Sequence, residues 1–179
     1  MRLRLAISGL VLVTAMSALT ALASPNPTGS GTPACLRGEW GASQAETKRV
    51  LRALAPVPGL EPRGKLYMIL RNGTFQYGST SLVLKINLGD AVATARARFF
   101  VLQPYTARRG SFTTRGGEST IEYDEMTATK NGQTYSVPGP PTRTTRVPGG
   151  TTPFQCSGST LKVRLPRFAS LNWITLQRA

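Results

Sequence analysis

Apolar and polar residues alternate along much of this chain, which is the pattern of β-strands with one buried face. In 82–88 every second residue is leucine or isoleucine. The runs 119–128 and 160–165 alternate in the same way, and an apolar run over 171–178 predicts a terminal strand. The chain is therefore predicted to be rich in short, half-buried strands.

Turn-forming pairs separate several of these runs. Asn72-Gly73 and Asn131-Gly132 each stand between β-prone segments, and Asn-Gly is the strongest short hairpin signal. Gly89-Asp90 separates 82–88 from an apolar run over 91–102. We expect three β-hairpins around these pairs.

Helical signals occur in one place. Ser43 and Glu46 match a capping box, and the periodicity that follows predicts a helix over about 44–55. Prolines and glycines then predict a turn-rich connector over 56–64. A second proline-rich segment, 138–153, is predicted to be a long exposed loop because proline is excluded from sheet interiors.

These elements predict an all-β fold: an antiparallel β-barrel of eight to ten strands with one short N-terminal helix. A closed barrel is favoured because it leaves no unpaired edges. A β-sandwich is the alternative. It is less favoured because the two cysteines do not bracket a buried tryptophan as in immunoglobulin domains.

The N-terminus predicts export. Two arginines, an apolar run and Ala21-Leu22-Ala23 form a signal peptide over 1–23, with cleavage before Ser24. Residues 24–34 are rich in proline and glycine and predict a flexible linker. A single domain then spans 35–179, with no transmembrane segment after signal cleavage. The expected location is the periplasm, the cell envelope or the extracellular space.

The cysteine count supports a disulfide. An exported chain with two cysteines usually pairs them, because its compartment is oxidising. Cys35 and Cys156 would then close a loop of about 120 residues, which stabilises the fold by roughly 4 to 5 kcal/mol in the chain-entropy model. Two buried free thiols are the alternative.

The segment Gly38-Glu39-Trp40 resembles the GxW signature of lipocalin-like barrels. The order of a cysteine, Leu-x-Gly-x-Trp, a short helix, an Asn-Gly hairpin and a late Cys-Ser-Gly-x-x-Leu segment is similar to small secreted lipocalin-like domains of bacteria. The residues that carry this resemblance are Cys35, Gly38, Trp40, Cys156, Gly158 and Leu161. It implies a barrel whose motif tryptophan packs at the closed end under an arginine, either Arg178 or Arg164, while the open end holds an apolar ligand.

The composition argues against catalysis. The chain contains no histidine, which removes Ser-His-Asp and Cys-His catalysis and imidazole metal sites. Glu122 and Asp124 share a strand face and form a candidate carboxylate pair, but ion pairs with nearby arginines are the better interpretation. We therefore expect a protein that is not an enzyme and needs no cofactor or metal.

The charge suggests a second kind of partner. The formal net charge is +14. A candidate anion patch consists of Arg96, Arg98, Arg108, Arg109 and Arg115. Such a patch would attract anionic envelope polymers, with nucleic acid the less favoured partner, although an arginine-rich composition without a binding role explains the same residues.

A candidate ligand cavity follows from the inward positions of the strands. Its predicted lining is Leu66, Met68, Leu70, Leu82, Leu84, Ile86, Phe99, Val163 and Trp173. The same residues would fill a barrel without a cavity, whereas a ligand carrier predicts an internal cavity above ~300 Å³. The leading hypothesis is a secreted, noncatalytic, lipocalin-like binding protein of the cell envelope for a small apolar or amphipathic ligand. The alternative is a basic envelope-associated structural or interaction protein that binds anionic polymers or a protein partner.

Overall fold

The computed structural model describes residues 33–164 and 171–179. The predicted signal peptide 1–23, the linker up to residue 32, and Leu165 at the end of a predicted strand lie outside the described residues. A 3-10 turn, Ala34–Leu36, precedes the helix α1, Gln44–Leu54. The strands of the described residues are β1 Gly38–Ala42, β2 Leu60–Arg63, β3 Tyr67–Arg71, β4 Thr74–Asn87, β5 Ala91–Arg108, β6 Ser111–Thr114, β7 Gly117–Lys130, β8 Gln133–Ser136, β9 Arg143–Val147, β10 Gly150–Ser157, β11 Thr160–Arg164 and β12 Trp173–Arg178.

Eight of these strands close an antiparallel, lipocalin-like barrel. Around the barrel they run in the order β3, β1, β12, β11, β10, β6, β5 and β4, and β4 pairs back to β3. The predicted all-β barrel with one short helix is confirmed, and the β-sandwich alternative is wrong. Closure pairs both edges of every barrel strand, which removes the exposed edges that promote aggregation.

The remaining strands extend one side of the barrel. β4 has 14 residues and β5 has 18, so this hairpin continues past the barrel wall. Beyond the wall, β2 pairs with β4, β7 pairs with β5, and β8 and β9 both pair with β7. The register of β4 against β5 shifts between Ser79 and Leu82, which explains why the sequence predicted two separate strands there.

Two proline-rich segments predicted as loops contain strands. The predicted connector 56–64 includes β2, in which Pro62 lies opposite Leu84 of β4. The predicted loop 138–153 includes β9 and the start of β10. In the described residues β2 pairs on one side only, where proline is tolerated. β9 contains no proline, because the prolines of 138–153 lie before and after it, so the composition of the whole segment hid a short strand.

The predicted hairpin turns are confirmed. Asn72 and Gly73 have φ angles of 49° and 75°, and Asn131 and Gly132 have φ angles of 51° and 76°. Positive φ at both central residues is the type I′ geometry, whose twist matches that of the flanking strands. These turns join β3 to β4 and β7 to β8.

The helix begins where the sequence predicts. The Ser43 side chain accepts a hydrogen bond from the Glu46 backbone N–H at 3.1 Å, which caps the first turn. Val50 and Leu51 on the inner face of α1 are buried. No helix of the described residues is long and apolar enough to cross a membrane.

The predicted disulfide is confirmed. Cys35 and Cys156 are bonded, with their Cα atoms 6.0 Å apart and 121 positions apart in the sequence. The bond joins the 3-10 turn to β10. It therefore fixes the N-terminal end of the described chain onto the barrel.

Candidate binding cavity

A cavity of about 100 Å³ lies inside the barrel, beneath α1. Val50, Leu51 and Leu54 of the helix form one part of its wall. Phe75 and Phe112 are among the strand residues that form the rest, and almost all of the lining is apolar. The helix and the inward faces of the strands thus enclose a small apolar space.

The cavity is smaller than expected for a ligand carrier. A carrier was expected to have a cavity above ~300 Å³, the volume at which pockets for drug-sized ligands begin, and this cavity has about a third of that volume. An engineered apolar cavity of about 150 Å³ accepts benzene. A space of about 100 Å³ therefore fits a molecule no larger than one small ring or a short chain.

Four of the predicted lining residues form the cavity wall: Leu66, Met68, Phe99 and Val163. The other five do not: Leu70, Leu82, Leu84, Ile86 and Trp173. The leucines and the isoleucine of β4 pack in a second core with Leu51 and Leu60, because that half of β4 runs beyond the barrel.

Leu70 and Trp173 also lie outside the cavity wall, each for a local reason. Leu70 is fully buried in the main core, near the β3–β4 turn, and leaves no surface in the cavity. On β12 the residues that face the cavity are Ile174 and Leu176. Trp173 does not line the cavity, because neighbouring residues of a strand point to opposite faces.

Polar residues on the cavity wall were missed by the sequence analysis. Gln103 of β5 is 3% exposed and lines the cavity, and its Nε2 donates to the backbone oxygens of Arg115 and Pro148 at 3.0 and 3.1 Å. These carbonyls lie where β6 and β9 end, at the point where β5 changes its partner from β7 to β6. The signal was available, because Gln103 interrupts an otherwise apolar series of inward positions in β5.

Tyr77 also lines the cavity from β4. Burial raises the pKa of its hydroxyl to about 12, so the group stays protonated at neutral pH. Tyr77 nevertheless keeps some accessible surface, and its hydroxyl has no hydrogen-bond partner among the described residues. A neutral hydroxyl group is therefore open to the interior of the barrel.

Hydrogen bonds hold α1 across this end of the barrel. The Thr47 hydroxyl accepts from the Leu66 backbone N–H at 3.2 Å. Gln44 bonds to the backbone of Gly64 and Pro62 on the same side. These contacts fix the helix to the chain that leads from β2 into β3.

On the opposite side, Glu46 and Arg49 join α1 to the start of β12. Glu46 Oε1 accepts from the Thr175 backbone N–H and from Arg49, both at 2.7 Å. Arg49 in turn donates to the backbone oxygens of Leu171 and Trp173. Burial alone would raise the pKa of Glu46, but the hydrogen bonds from Arg49 and Thr175 outweigh it, and the pKa lies below its usual 4.5.

The other end of the barrel holds the Gly38–Trp40 segment. Trp40 is fully buried and its Nε1 donates to the Leu36 backbone oxygen at 3.1 Å. The Arg178 guanidinium lies over the indole ring, with Cζ 4.7 Å from the ring centroid. Of the two arginines proposed for this position, Arg178 occupies it, whereas Arg164 is exposed and lies opposite Trp173.

The five arginines of the candidate anion patch do not form one surface. Arg98 pairs with Glu122 at 2.6 Å and with Asp124 at 3.4 Å, and Arg96 pairs with Glu125 at 3.3 Å. The charges of these two arginines are therefore locally balanced.

The remaining members lie elsewhere. Arg108 ends β5 and Arg109 follows it in the turn to β6, so they lie about 30 Å along the strand from Arg98. Arg115 follows β6. Because exposed charges are screened beyond about 10 Å, Arg108 and Arg109 act separately from Arg96 and Arg98.

The carboxylates of β7 are engaged by the same arginines. Glu122 and Asp124, the candidate catalytic pair, both contact Arg98. Within the described ranges, no group of three or more cysteine, aspartate or glutamate residues is placed to hold a metal ion. The carboxylates of β7 are thus ion-paired, and the cavity is the candidate site for a small molecule.

Comparison with family models, with curated proteins and with solved structures finds no significant match to this chain. The candidate function consequently rests on the barrel and on the chemistry of its interior.

Proposed function

We propose that this protein is an exported, noncatalytic, lipocalin-like binding protein of the cell envelope that carries one small molecule with an apolar body inside its barrel. The observation that supports this proposal is the apolar cavity of about 100 Å³ beneath α1. The disulfide Cys35–Cys156 is compatible with export, because such bonds persist in oxidising compartments.

An empty space in a packed core lowers the stability of a protein. In large-to-small core substitutions each Å³ of residual cavity costs about 24 cal/mol, which sets a scale of about 2 kcal/mol for an empty space of this volume. Protein interiors otherwise pack like organic crystals. A ligand that fills the space restores these contacts and offsets the cost.

Native mass spectrometry of the protein from the exported fraction of its host tests the proposal. The same sample is then denatured without reductant. Excess mass that disappears on denaturation supports a carried molecule and gives its mass. The denatured mass also reports cleavage before Ser24, and a native mass equal to the denatured mass would oppose the proposal.

A pair of variants separates cavity binding from surface adsorption. Val163→Phe places a larger side chain in the cavity and is expected to abolish the excess mass. Leu102→Phe is the matched control, because Leu102 is 49% exposed on the outer face of β5. The excess mass should persist in the control, and persistence in both variants would contradict binding in the cavity.

The alternative function is a basic envelope-associated protein that binds anionic polymers or a protein partner. It is favoured by the net charge of +14 and by Arg109 and Arg115, which lie away from the ion-paired Arg96 and Arg98. This alternative depends on the surface and not on the cavity. The retention of arginine variants on a heparin column tests it.

A further inference from the structure

The cavity wall includes polar side chains, and the chemistry of one of them, Gln103, is defined by its hydrogen bonds. Both N–H bonds of the Gln103 amide are used, because Nε2 donates to the backbone oxygens of Arg115 and Pro148. Rotation of the amide would place Oε1 against these two oxygens. The amide orientation is therefore fixed, and the Gln103 side chain offers only an acceptor, Oε1, to a ligand.

Two hydroxyl groups also line the cavity. Thr152 of β10 is 7% exposed and lines the cavity, as does Tyr77. Neither hydroxyl has a hydrogen-bond partner among the described residues. No polar side-chain atom of the described residues is both fully enclosed and unpaired, so Gln103 Oε1 and the two hydroxyls each keep some accessible surface, and their residues line the cavity.

Thr114 is a contrasting case on the same wall. Its Oγ1 accepts from the Gly150 N–H at 3.2 Å and donates to the Gly150 oxygen at 3.4 Å. The backbone of β10 therefore satisfies this hydroxyl, and it needs no ligand. A ligand could supply the missing hydrogen-bond partner of Gln103 Oε1, of Thr152 or of Tyr77.

Among the described residues, the wall contains no charged side chain. A carboxylate ligand would bring a negative charge into an apolar space without a cation, and it would face the Gln103 acceptor. Burial of an unpaired charge is strongly unfavourable. A hydroxyl ligand instead donates a hydrogen bond to Gln103 Oε1.

We propose that the cavity selects a neutral molecule, of one small ring or a short chain, whose single hydroxyl group donates a hydrogen bond to Gln103 Oε1. This inference rests on the proposed function and names the chemical class of its ligand. A hydrocarbon of the same size would leave Gln103 Oε1 without a hydrogen-bond donor. A carboxylate would place a second, negatively charged acceptor against it.

Three probes test this selectivity on the unmodified protein: phenol, toluene and benzoate. Phenol and toluene have the same number of non-hydrogen atoms. A wholly apolar cavity prefers toluene on the order of tenfold, because phenol must give up its hydrogen bonds with water. With an acceptor in place, phenol should bind at least as tightly as toluene in titration calorimetry, and benzoate should not bind.

The outcomes separate the two proposals. Toluene binding about tenfold tighter than phenol would overturn the hydroxyl preference and leave the carrier function intact. Binding of none of the probes, together with the absence of excess mass in native mass spectrometry, would remove the carrier function itself.

Variants test whether Gln103 causes the preference for phenol. Gln103→Met should keep toluene binding and weaken phenol binding about tenfold, since it removes the acceptor and keeps the length of the side chain. Gln155→Met, at an exposed position of β10, is the control and should change neither affinity. Unchanged phenol binding in a folded Gln103→Met variant would overturn the assignment. If that variant does not fold because two carbonyls lose their donor, the probe series on the unmodified protein still decides.

Discussion

The guanidinium of Arg178 occupies the space beside Gly38 as well as the face of Trp40. Gly38 has a φ of +131°, and a Cβ at this position would lie 3.2 Å from Arg178 Nη1. Arg178 also donates to the Cys35 backbone oxygen at 3.5 Å. The glycine, the tryptophan and the arginine therefore form one interlocked arrangement at this end of the barrel.

We predict that Gly38→Ala lowers the free energy of unfolding by about 1 to 3 kcal/mol, because an L side chain is strained at this φ and crowds Arg178. Urea denaturation measures the change. Gly41→Ala in the same strand is the control, since a Cβ there meets nothing within 4 Å. Equal losses in the two variants would contradict the interlocked arrangement.

The disulfide yields a second prediction. Replacing both Cys35 and Cys156 with serine should lower the free energy of unfolding by up to roughly 4 to 5 kcal/mol, since the bond closes a loop of about 120 residues in the unfolded chain. Guanidinium denaturation of the variant and of the oxidised protein measures the difference. Addition of reductant should destabilise the oxidised protein and leave the variant unchanged. A loss below about 1 kcal/mol would contradict this role.

Local signals in the sequence predicted much of the fold. Asn72-Gly73 and Asn131-Gly132 marked two turns, and Ser43 marked the start of α1, because each depends on neighbouring residues alone. The unbroken length of β4 depends on a register shift against β5, and β2 and β9 exist because a sheet edge was available to them. Such tertiary contacts are not encoded in the local pattern.

The site was less predictable because alternation identifies the inward face of a strand and not its surroundings. Met68 and Leu82 are both inward apolar residues, yet Met68 lines the cavity and Leu82 packs in the second core. Gln103 carried a detectable signal as a polar residue at an inward position. The direction of its amide depends on carbonyls of Arg115 and Pro148, which are distant in sequence.

A third prediction concerns the attachment of α1. Because the pKa of Glu46 is lowered in the fold, its charged form stabilises the fold. This stabilisation is fully present above pH 4.5 and is lost as the pH falls through the folded-state pKa. Glu46→Gln should therefore cost about 1 to 3 kcal/mol at pH 7, the range for hydrogen bonds to a charged group, and progressively less toward pH 3.

Thermal denaturation of both proteins from pH 7 to pH 3 measures this convergence. Glu39→Gln is the control, because Glu39 forms an exposed pair with Arg71 that is worth at most about 1 kcal/mol. A difference between wild type and Glu46→Gln that stays constant with pH would contradict the assigned role of the Glu46 carboxylate.

The fourth prediction separates the basic surface from the carrier function. Two double variants each remove two positive charges: Arg96→Ser/Arg98→Ser and Arg109→Ser/Arg115→Ser. In the first variant the replaced arginines, Arg96 and Arg98, are paired with carboxylates. If anionic polymers bind to arginines outside the ion-paired strands, the second double variant should elute from a heparin column at clearly lower salt than the first. Equal elution would show that retention follows net charge alone and has no specific site. In that case Arg109 and Arg115 are not a specific anion site, and only the net charge of +14 is left to favour the surface alternative.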